Sequence, residues 1–470
     1  MTISRRKLLA ASAALPLAVS LAQAASNVSI TVDPRRSLGR VSPDYMGLGY
    51  EISSVALPGL LSATNQAYVR LVRNLGSHGV IRIGGNTSDF ASYAPRGPAV
   101  SAPKATVVDD ANLKDLRGFL DATGWKLIWG LNLGDERQEN LIAEARAVAD
   151  LMGDRLLALE IGNEPDLFTR SGHRQGLYDY AAWLAQYRRY KAAIRAVLPR
   201  APFAGPDLAG ASDWMTQFAR DEGQDIALLT AHHYITGQAS PSATLDTMLG
   251  EEKKYQAALS QFQAASETAN RPWRMCETAS YSGGGKQGVS DTFAAALWAL
   301  DYLLVLAGHG CAGVNMETGV NHLGWISHYT PISDDLHGHY GAAPEYYGLL
   351  AFAQLARGEM LGVACQATGL DLTAYALRPE AGELCLFLVN KDRTQDAAAE
   401  LAGLDGMVHG RTMRLTGPSL EAQDGVLLGG AMVLENGTWS GAKSVPVAVA
   451  NGRARIHVSA GSAALLWFTA

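Results

Sequence analysis

Short apolar runs bounded by Gly, Pro or Asn alternate with longer amphipathic stretches along residues 45–357. The apolar runs predict eight strands, namely Tyr45–Ile52, Val80–Gly85, Lys126–Leu133, Leu156–Pro165, Pro202–Asp207, Leu228–Tyr234, Pro272–Thr278 and Ala312–Thr318. The amphipathic stretches predict the helices Asn65–Leu75, Asn112–Ala122, Glu139–Leu151, Tyr178–Val197, Trp214–Arg220, Thr247–Thr268, Asp291–Ala307 and Pro344–Arg357. Eight strand–helix units are typical of a (β/α)8 TIM barrel, an α/β fold. A doubly wound sheet is the alternative, but no G-x-G-x-x-G turn opens the first helix.

The pattern changes after Gly358 to short alternating strands separated by Gly-rich turns. These predicted strands are Val363–Ala367, Leu372–Leu377, Glu383–Val389, Thr412–Leu415, Val445–Ala448, Ala454–His457 and Ala463–Phe468. This pattern predicts a C-terminal β-sandwich over 358–470. A lone strand, Val28–Val32, lies in the segment 25–44 ahead of the barrel, and it is a candidate to pair into that sandwich.

The first 24 residues have the pattern of an export signal. Arg5-Arg6-Lys7 precedes an apolar run, and Ala22-Gln23-Ala24 offers a small-x-small cleavage site. The run is short and rich in Ala and Ser, whereas a membrane span needs about 20 strongly apolar residues. We therefore expect a cleaved twin-arginine signal peptide, a periplasmic or secreted protein, and no membrane association after cleavage.

Charge narrows the class of partner. The 470 residues carry 39 Lys and Arg against 45 Asp and Glu, a net charge of −6, and signal removal makes the chain more acidic. A nucleic-acid partner normally requires a basic excess, so we expect none. Four cysteines in a chain of this length do not form a disulfide scaffold. The sequence leaves the oligomeric state open.

Carboxylates and amides cluster where the predicted barrel strands end, which is the face that holds the active site of TIM barrels. The candidates are Glu51, Asp89, Asn163, Glu164, Asp166, Asp207, His232, His233, Tyr234, Glu277 and Glu317. Any one carboxylate there can be a helix N-cap, as for Asp89 or Asp166. The whole set suits a ligand rich in hydroxyl groups, and we expect it to need neither a metal nor a cofactor.

Two glutamates have the placement that retaining glycosidases require. Glu164 ends the fourth predicted strand and Glu277 the seventh, so both can face one bond across the barrel mouth. One carboxyl donates a proton to the leaving oxygen while the other attacks the anomeric carbon. Asn163 is placed to hydrogen-bond a sugar 2-hydroxyl.

The segment Gly162-Asn163-Glu164-Pro165 resembles the Asn-Glu-Pro signature of clan A glycoside hydrolases, and Met275-Cys276-Glu277-Thr278 fits the second glutamate of that clan. Ile81 to Asp89, Gly205-Pro206-Asp207, His232-His233-Tyr234 and Tyr329 to Ile332 extend the resemblance to glycoside hydrolase family 79, which contains β-glucuronidases and heparanases. The resemblance implies that Glu164 is the acid/base and Glu277 the nucleophile. It also implies that Glu51, Asp89, Asn163, Tyr234, Tyr281 and Tyr329 bind the sugar. His328 stands where that family has Gly, which departs from the pattern at the sugar carboxylate.

Several alternatives stay open. Glu317 also ends a strand and competes with Glu277 as nucleophile. His232-His233 suggests a metal site, but no third ligand has a fitting spacing and neighbouring strand residues face opposite ways. Cys276 is expected to point away from Glu277 into the barrel–helix layer. Cys365 and Cys385, on nearby predicted strands, are candidates for a disulfide.

The function that these observations predict is a retaining exo-acting β-glucuronidase. An endo-acting heparanase-like enzyme is the alternative on substrate, although its polyanionic substrate calls for a basic groove. A clan A glycosidase for a neutral or modified sugar is another alternative. A silent carbohydrate-binding protein is a fourth, but such proteins usually lack one of the two carboxylates.

Overall fold

The computed structural model describes residues 25–470 except 136, 252–254, 320–326 and 380–381. The predicted signal peptide therefore lies outside the described residues. Residues 26–342 carry the strands β1 (Ser26–Val41), β2 (Met46–Glu51), β3 (Val80–Gly84), β4 (Ser92–Tyr93), β5 (Val107–Val108), β6 (Lys126–Leu131), β7 (Leu156–Ile161), β8 (Ala204–Leu208), β9 (Leu228–Gly237), β10 (Trp273–Ser282), β11 (Val314–Glu317), β12 (Ile332–Asp334) and β13 (Tyr340–Ala342).

Eight of these strands form the parallel barrel, in the order β7-β6-β3-β2-β11-β10-β9-β8. The sheet closes where Leu159 of β7 bridges to Phe203, just ahead of β8. The predicted (β/α)8 barrel is thus confirmed, and its carboxyl-terminal mouth gathers the ends of all eight strands.

The helices surround this barrel. They are α1 (Gln66–Asn74), α2 (Asp110–Thr123), α3 (Gln138–Met152), α4 (Phe168–Ser171), α5 (Tyr180–Val197), α6 (Asp213–Glu222), α7 (Leu245–Leu249), α8 (Gln256–Ala269), α9 (Phe293–Gly308) and α10 (Pro344–Leu355). The single helix predicted over 247–268 is wrong, because α7 ends before Gly250 and α8 begins after the interruption. None of the helices among the described residues is long and apolar enough to cross a membrane.

The remaining strands form the C-terminal domain. They are β14 (Gly358–Gln366), β15 (Leu372–Arg378), β16 (Leu384–Asn390), β17 (Ala397–Ala402), β18 (His409–Thr416), β19 (Leu427–Leu428), β20 (Val445–Val447), β21 (Val449–Ala450), β22 (Arg453–Val458) and β23 (Ser462–Thr469). Sequence patterning missed β17, because its Ala-rich run has low strand propensity. Strand β1 lies between β14 and β17, antiparallel to the first and parallel to the second.

Alternation on β16 explains how the two domains pack. Leu384, Leu386 and Leu388 face the core of the sandwich. Cys385, Phe387 and Val389 point the other way, into the core that the sandwich shares with the barrel. Both faces of β16 are therefore covered, which is why it reads as a continuous apolar run.

Helix α9 lies at this domain boundary, and its residues from Phe293 to Ala307 are all buried. Its one acidic residue, Asp301, accepts hydrogen bonds from Thr373 and Tyr375 and pairs with the buried ammonium of Lys391 at 2.7 Å. A buried charge is tolerated only when it is paired, so this cluster fixes the register between barrel and sandwich.

The four cysteines are free. Cys365 on β14 and Cys385 on β16 are separated by β15, and their side chains face different cores. The suggested disulfide between them is therefore wrong.

Candidate active site

A cavity of about 400 Å³ opens at the carboxyl-terminal mouth of the barrel. Its lining combines four glutamates, two tyrosines and a Gly-rich rim, in the residues Glu51, Asn86, Glu164, Leu167, Ala209, Tyr234, Thr236, Gly237, Glu277, Ser282, Gly283, Gly284, Glu317 and Tyr329. A larger open groove lies on the sandwich, but the carboxylate in its lining, Glu400, is paired with Arg455. The barrel mouth, by contrast, gathers four glutamate side chains in one cavity.

Glu164 and Glu277 face each other in this cavity. An oxygen of each carboxyl and a ring nitrogen of His232 all lie within 4.8 Å of one another. Glu164 follows β7 in a left-handed backbone conformation, with φ of 48°, and its N–H donates to the carbonyl of Asp207 at 2.9 Å. A non-glycine residue in this conformation is strained, and such strain is concentrated at functional sites.

A β-bulge places Glu277. In the pairing of β10 with β9, Met275 is opposite Ala231 and Glu277 is opposite His232, so Cys276 has no partner. The expectation that Cys276 points into the barrel–helix layer is wrong. The extra residue breaks the alternation, and the Cys276 thiol lies inside the barrel, within 4.8 Å of carboxylate oxygens of Glu160 and Asp207.

Glu277 receives two hydrogen bonds. The Nη1 of Arg82 donates to its Oε2 at 2.7 Å, and the hydroxyl of Tyr234 donates to its Oε1 at 2.8 Å. Hydrogen bonds to a carboxylate favour the ionised form and fix its orientation. Both are properties that an attacking carboxylate needs.

Arg82 is the residue that sequence reasoning missed. It is fully buried, and its guanidinium donates to Glu160, Glu277, Asn163 and Asp207 at 2.6–3.1 Å. The signal was a single charged residue in the middle of an otherwise apolar strand, because an arginine there is buried only if carboxylates pair with it. Gly84 leaves the space, since a Cβ at that position would overlap the guanidinium.

His232 links this cluster to Glu164. Its Nδ1 is 3.0 Å from Glu164 Oε1, and its Nε2 is 2.9 Å from Asp207 Oδ1. Burial lowers the pKa of His232, but the charges of Asp207 and Glu277 and the two hydrogen bonds outweigh it and hold the pKa well above its usual value. Both ring nitrogens are thus engaged by carboxylates.

His233 faces the opposite side of β9, where its ring packs against Tyr255 and its Nε2 contacts Glu251. The two neighbouring histidines therefore do not point towards a common metal site.

Glu51 occupies the mouth beside Glu277. Its Oε2 accepts the N–H and the hydroxyl of Thr87 at 2.7 and 2.6 Å, and Oε1 accepts the N–H of Asn86 at 3.2 Å. Burial and then the charge of Glu277 raise the pKa of Glu51 to about 7. Gly85 has a φ of +72°, and a Cβ there would overlap the Glu51 carboxyl, so glycine is required.

Tyr329 and Glu317 complete the cavity wall. The ring of Tyr329 lies 6.2 Å from that of Tyr234. The preceding residue, His328, anchors this segment: its N–H donates to the carbonyl of Gly284, and its Nδ1 is 3.0 Å from Asp291 Oδ2. His328 therefore fixes the loop that carries Tyr329 against the Gly-rich rim.

Asp89 and Tyr281, two of the expected sugar-binding residues, lie elsewhere, and Asn163 is also outside the lining of the cavity. Asp89 is buried below the mouth, where it accepts the N–H groups of Leu133, Gly134 and Asn163. The hydroxyl of Tyr281 donates to the carbonyl of Thr244 at 2.7 Å, and neither Asp89 nor Tyr281 lines the cavity. Three backbone donors already use Asp89, so its role is to hold the β7 end in place.

Asn163 lies between these layers. Its backbone N–H is held by Asp89, and its side-chain oxygen accepts from Arg82 at 2.9 Å. The oxygen of the amide is thereby occupied, which orients the side chain and leaves its NH2 group as the donor for a ligand.

Sequence similarity to known proteins is evidence independent of the geometry of the cavity. No family model matches the chain. A β-glucuronidase of Aspergillus niger is 28% identical over 354 residues, and one of Neurospora crassa is 28% identical over 373 residues. The matches cover 67% and 69% of this chain but 63% and 66% of the two relatives, which is less than two thirds of their length.

Solved structures share the architecture of both domains. A 4-O-α-L-rhamnosyl-β-D-glucuronidase of Fusarium oxysporum superposes with a TM-score of 0.77 at 20% identity, covering 93% of this chain and 99% of that one. A GH51 arabinofuranosidase of Xanthomonas axonopodis gives a TM-score of 0.71 at 15% identity, covering 94% and 100%. In sequence the chain is similar to these two fungal β-glucuronidases, and in fold it has the barrel-and-sandwich architecture of these solved glycosidases.

Proposed function

We propose that the protein is a retaining glycoside hydrolase and that its substrate is a β-glucuronide. The observation that carries the mechanism is the distance of at most 4.8 Å between oxygens of Glu164 and Glu277. Retaining enzymes hold their two carboxyls roughly 5–5.5 Å apart, whereas inverting enzymes leave about 6.5–9.5 Å for a water molecule. The separation here suits direct attack by a carboxylate.

In the proposed first step, Glu277 attacks the anomeric carbon while Glu164 protonates the leaving oxygen. A glycosyl ester forms on Glu277 and the aglycone alcohol leaves. In the second step, Glu164 removes a proton from water, which attacks the anomeric carbon and releases Glu277 as a carboxylate. Arg82 and Tyr234 stabilise that carboxylate before the first step and after the second, because both donate to it.

Similarity to the two fungal β-glucuronidases supports the glucuronide as substrate. Glu51, Asn163, Tyr234 and Tyr329 are the proposed sugar contacts, and of these Glu51, Tyr234 and Tyr329 line the cavity. The NH2 group of Asn163 would donate to the 2-hydroxyl. We also propose exo action. Ser282, Gly283 and Gly284 lie on the rim of the cavity.

The heparanase-like alternative is disfavoured by charge. No Lys or Arg lies among the described residues that line the cavity, whereas a sulfated polyanion calls for a basic groove.

We also propose that the protein is exported, because Arg5-Arg6 lies in the twin-arginine pattern of the expected signal peptide.

The test is a panel of 4-nitrophenyl β-glycosides, with glucuronide, galacturonide, glucoside and xyloside compared at equal concentration. The glucuronide should have the highest kcat/KM, and NMR of the first product should give the β-anomer. Glu277→Gln serves as the inactive control. An α-anomer would overturn the retaining mechanism, and preference for the glucoside or xyloside would overturn the glucuronidase.

A further inference from the structure

A uronic acid substrate poses an electrostatic problem in this cavity. Glu51, Glu164, Glu277 and Glu317 line it, and no basic side chain does so among the described residues. The cation below, Arg82, is fully buried and engaged by three carboxylates. An anionic sugar therefore has to be bound by neutral donors, because a buried charge without donors costs several kcal/mol.

Glu317 differs from the other three glutamates of the cavity in its hydrogen bonds. Glu277 accepts from Arg82 and Tyr234, Glu51 accepts from Asn86 and Thr87, and Glu164 contacts His232. The Oε2 of Glu317 is buried and has no hydrogen-bond partner among the described residues, and the residue is only 3% exposed. A carboxyl in such a place favours the neutral acid, which is a donor.

The position of Glu317 also suits a substrate contact. It ends β11 and lines the cavity, and because its Oε2 is held against the backbone of Gly49, Oε1 is the oxygen left for a ligand. Its neighbours are the carboxyls of Glu277 and Glu51, which cannot both be accompanied by a third negative charge at low cost. Tyr329, on the same wall of the cavity, is a second neutral donor.

We propose that Glu317 is a specificity-determining residue that binds the carboxylate of the uronic acid as a neutral carboxylic acid, donating its O–H to a sugar carboxylate oxygen. This inference rests on the proposed glucuronidase function and adds a donor to it. Burial, followed by the charges of Glu277 and Glu51, holds the pKa of Glu317 well above its usual value, although Arg82 and His232 lower it in part. Glu317 thus differs in role from Glu277, since it neither attacks nor transfers a proton to the glycosidic oxygen.

The experiment compares Glu317→Gln with Glu317→Met, which have similar volume but differ in having a donor N–H. For each, kcat/KM is measured on 4-nitrophenyl β-D-glucuronide and on the matching β-D-glucoside. Glu317→Met should lower the glucuronide-to-glucoside ratio about 10- to 100-fold, the range for one neutral hydrogen bond to a charge. Glu317→Gln should recover most of that ratio. Glu345→Gln is the matched control, because Glu345 is a buried glutamate with both oxygens unpartnered outside the cavity, and its ratio should equal that of wild type.

The outcomes separate the two proposals. A wild-type enzyme that does not hydrolyse the glucuronide overturns the proposed function, and this inference with it. An active wild type with equal losses on both substrates in Glu317→Met overturns the inference alone, since Glu317 then binds a group common to both sugars. A Glu317→Gln variant as impaired as Glu317→Met also overturns it.

Discussion

Replacing Tyr234 by Phe removes one hydroxyl and nothing else from the barrel mouth. That hydroxyl donates to Glu277 Oε1 at 2.8 Å. A neutral hydrogen bond to a charged group contributes about 1.5–3 kcal/mol. We therefore expect kcat/KM for 4-nitrophenyl β-glucuronide to fall about 10- to 100-fold, because the nucleophile loses one of its two donors. The unfolding free energy should also fall, by up to that amount, because the same hydrogen bond stabilises the folded protein.

Tyr281→Phe is the matched control. Tyr281 lies on the neighbouring strand, and its hydroxyl donates to a backbone carbonyl, that of Thr244. This variant should lose about 1 kcal/mol of unfolding free energy, the usual net value of such a bond, and keep kcat/KM within roughly threefold. Steady-state kinetics and urea denaturation on both variants make the comparison. Equal kinetic losses in the two variants would refute the placement of Tyr281 outside the site, and an unimpaired Tyr234→Phe would refute the role of the Glu277 contact.

Three further predictions concern the nucleophile and the buried charges. Glu277→Ala should be inactive and be rescued by azide, giving the α-glycosyl azide by NMR; a β-azide would contradict Glu277 as nucleophile. Arg82→Lys should lower the unfolding free energy by about 3–5 kcal/mol in urea denaturation, because one ammonium cannot replace the guanidinium contacts to three buried carboxylates; an unchanged midpoint would contradict this. Burial raises the pKa of Glu144 to about 7 in the folded protein, against about 4.3 in the unfolded chain. Between these values the folded state keeps a proton that the unfolded state loses, so the wild-type free energy of unfolding falls as pH rises from about 4 to 7. Glu144→Gln does not titrate and should therefore exceed wild type by about 3 kcal/mol at pH 8 and by little at pH 4, whereas a gap independent of pH would refute the buried acid.

The barrel was predictable because its strands are apolar runs and most of its helices are amphipathic. Both patterns can be recognised within a short stretch of sequence. The placement of Glu164 and Glu277 followed from the strand ends. The bulge at Cys276 was not predictable, since one extra residue changes the facing of a side chain without changing the apolar pattern. The roles of Asp89 and Tyr281 depend on which backbone groups lie nearby, and those groups come from Leu133 and Thr244, distant in sequence.

The partners of Arg82 could not be predicted from the sequence either. An isolated charge in an apolar strand marks a buried group, but it does not identify the partners of Arg82. These come from three other strands or strand ends of the barrel, at Glu160 and Asn163, Asp207, and Glu277. Only the closed barrel brings them together. Strand order, which local periodicity does not encode, therefore determines the electrostatics of the site.

The pairing of β1 has a consequence for how the chain is assembled and divided. Ser29 pairs with Gln366 and Ile30 with Leu401, so β1 pairs only with strands that are synthesised much later than itself. The sheet cannot be completed until the whole barrel has been synthesised, and such distant contacts make folding slow. A fragment starting at Gly358 would expose β14 and β17 as two open edges, which are prone to aggregation. The barrel and the C-terminal domain therefore depend on each other for folding, although their patterns of apolar and polar residues differ clearly.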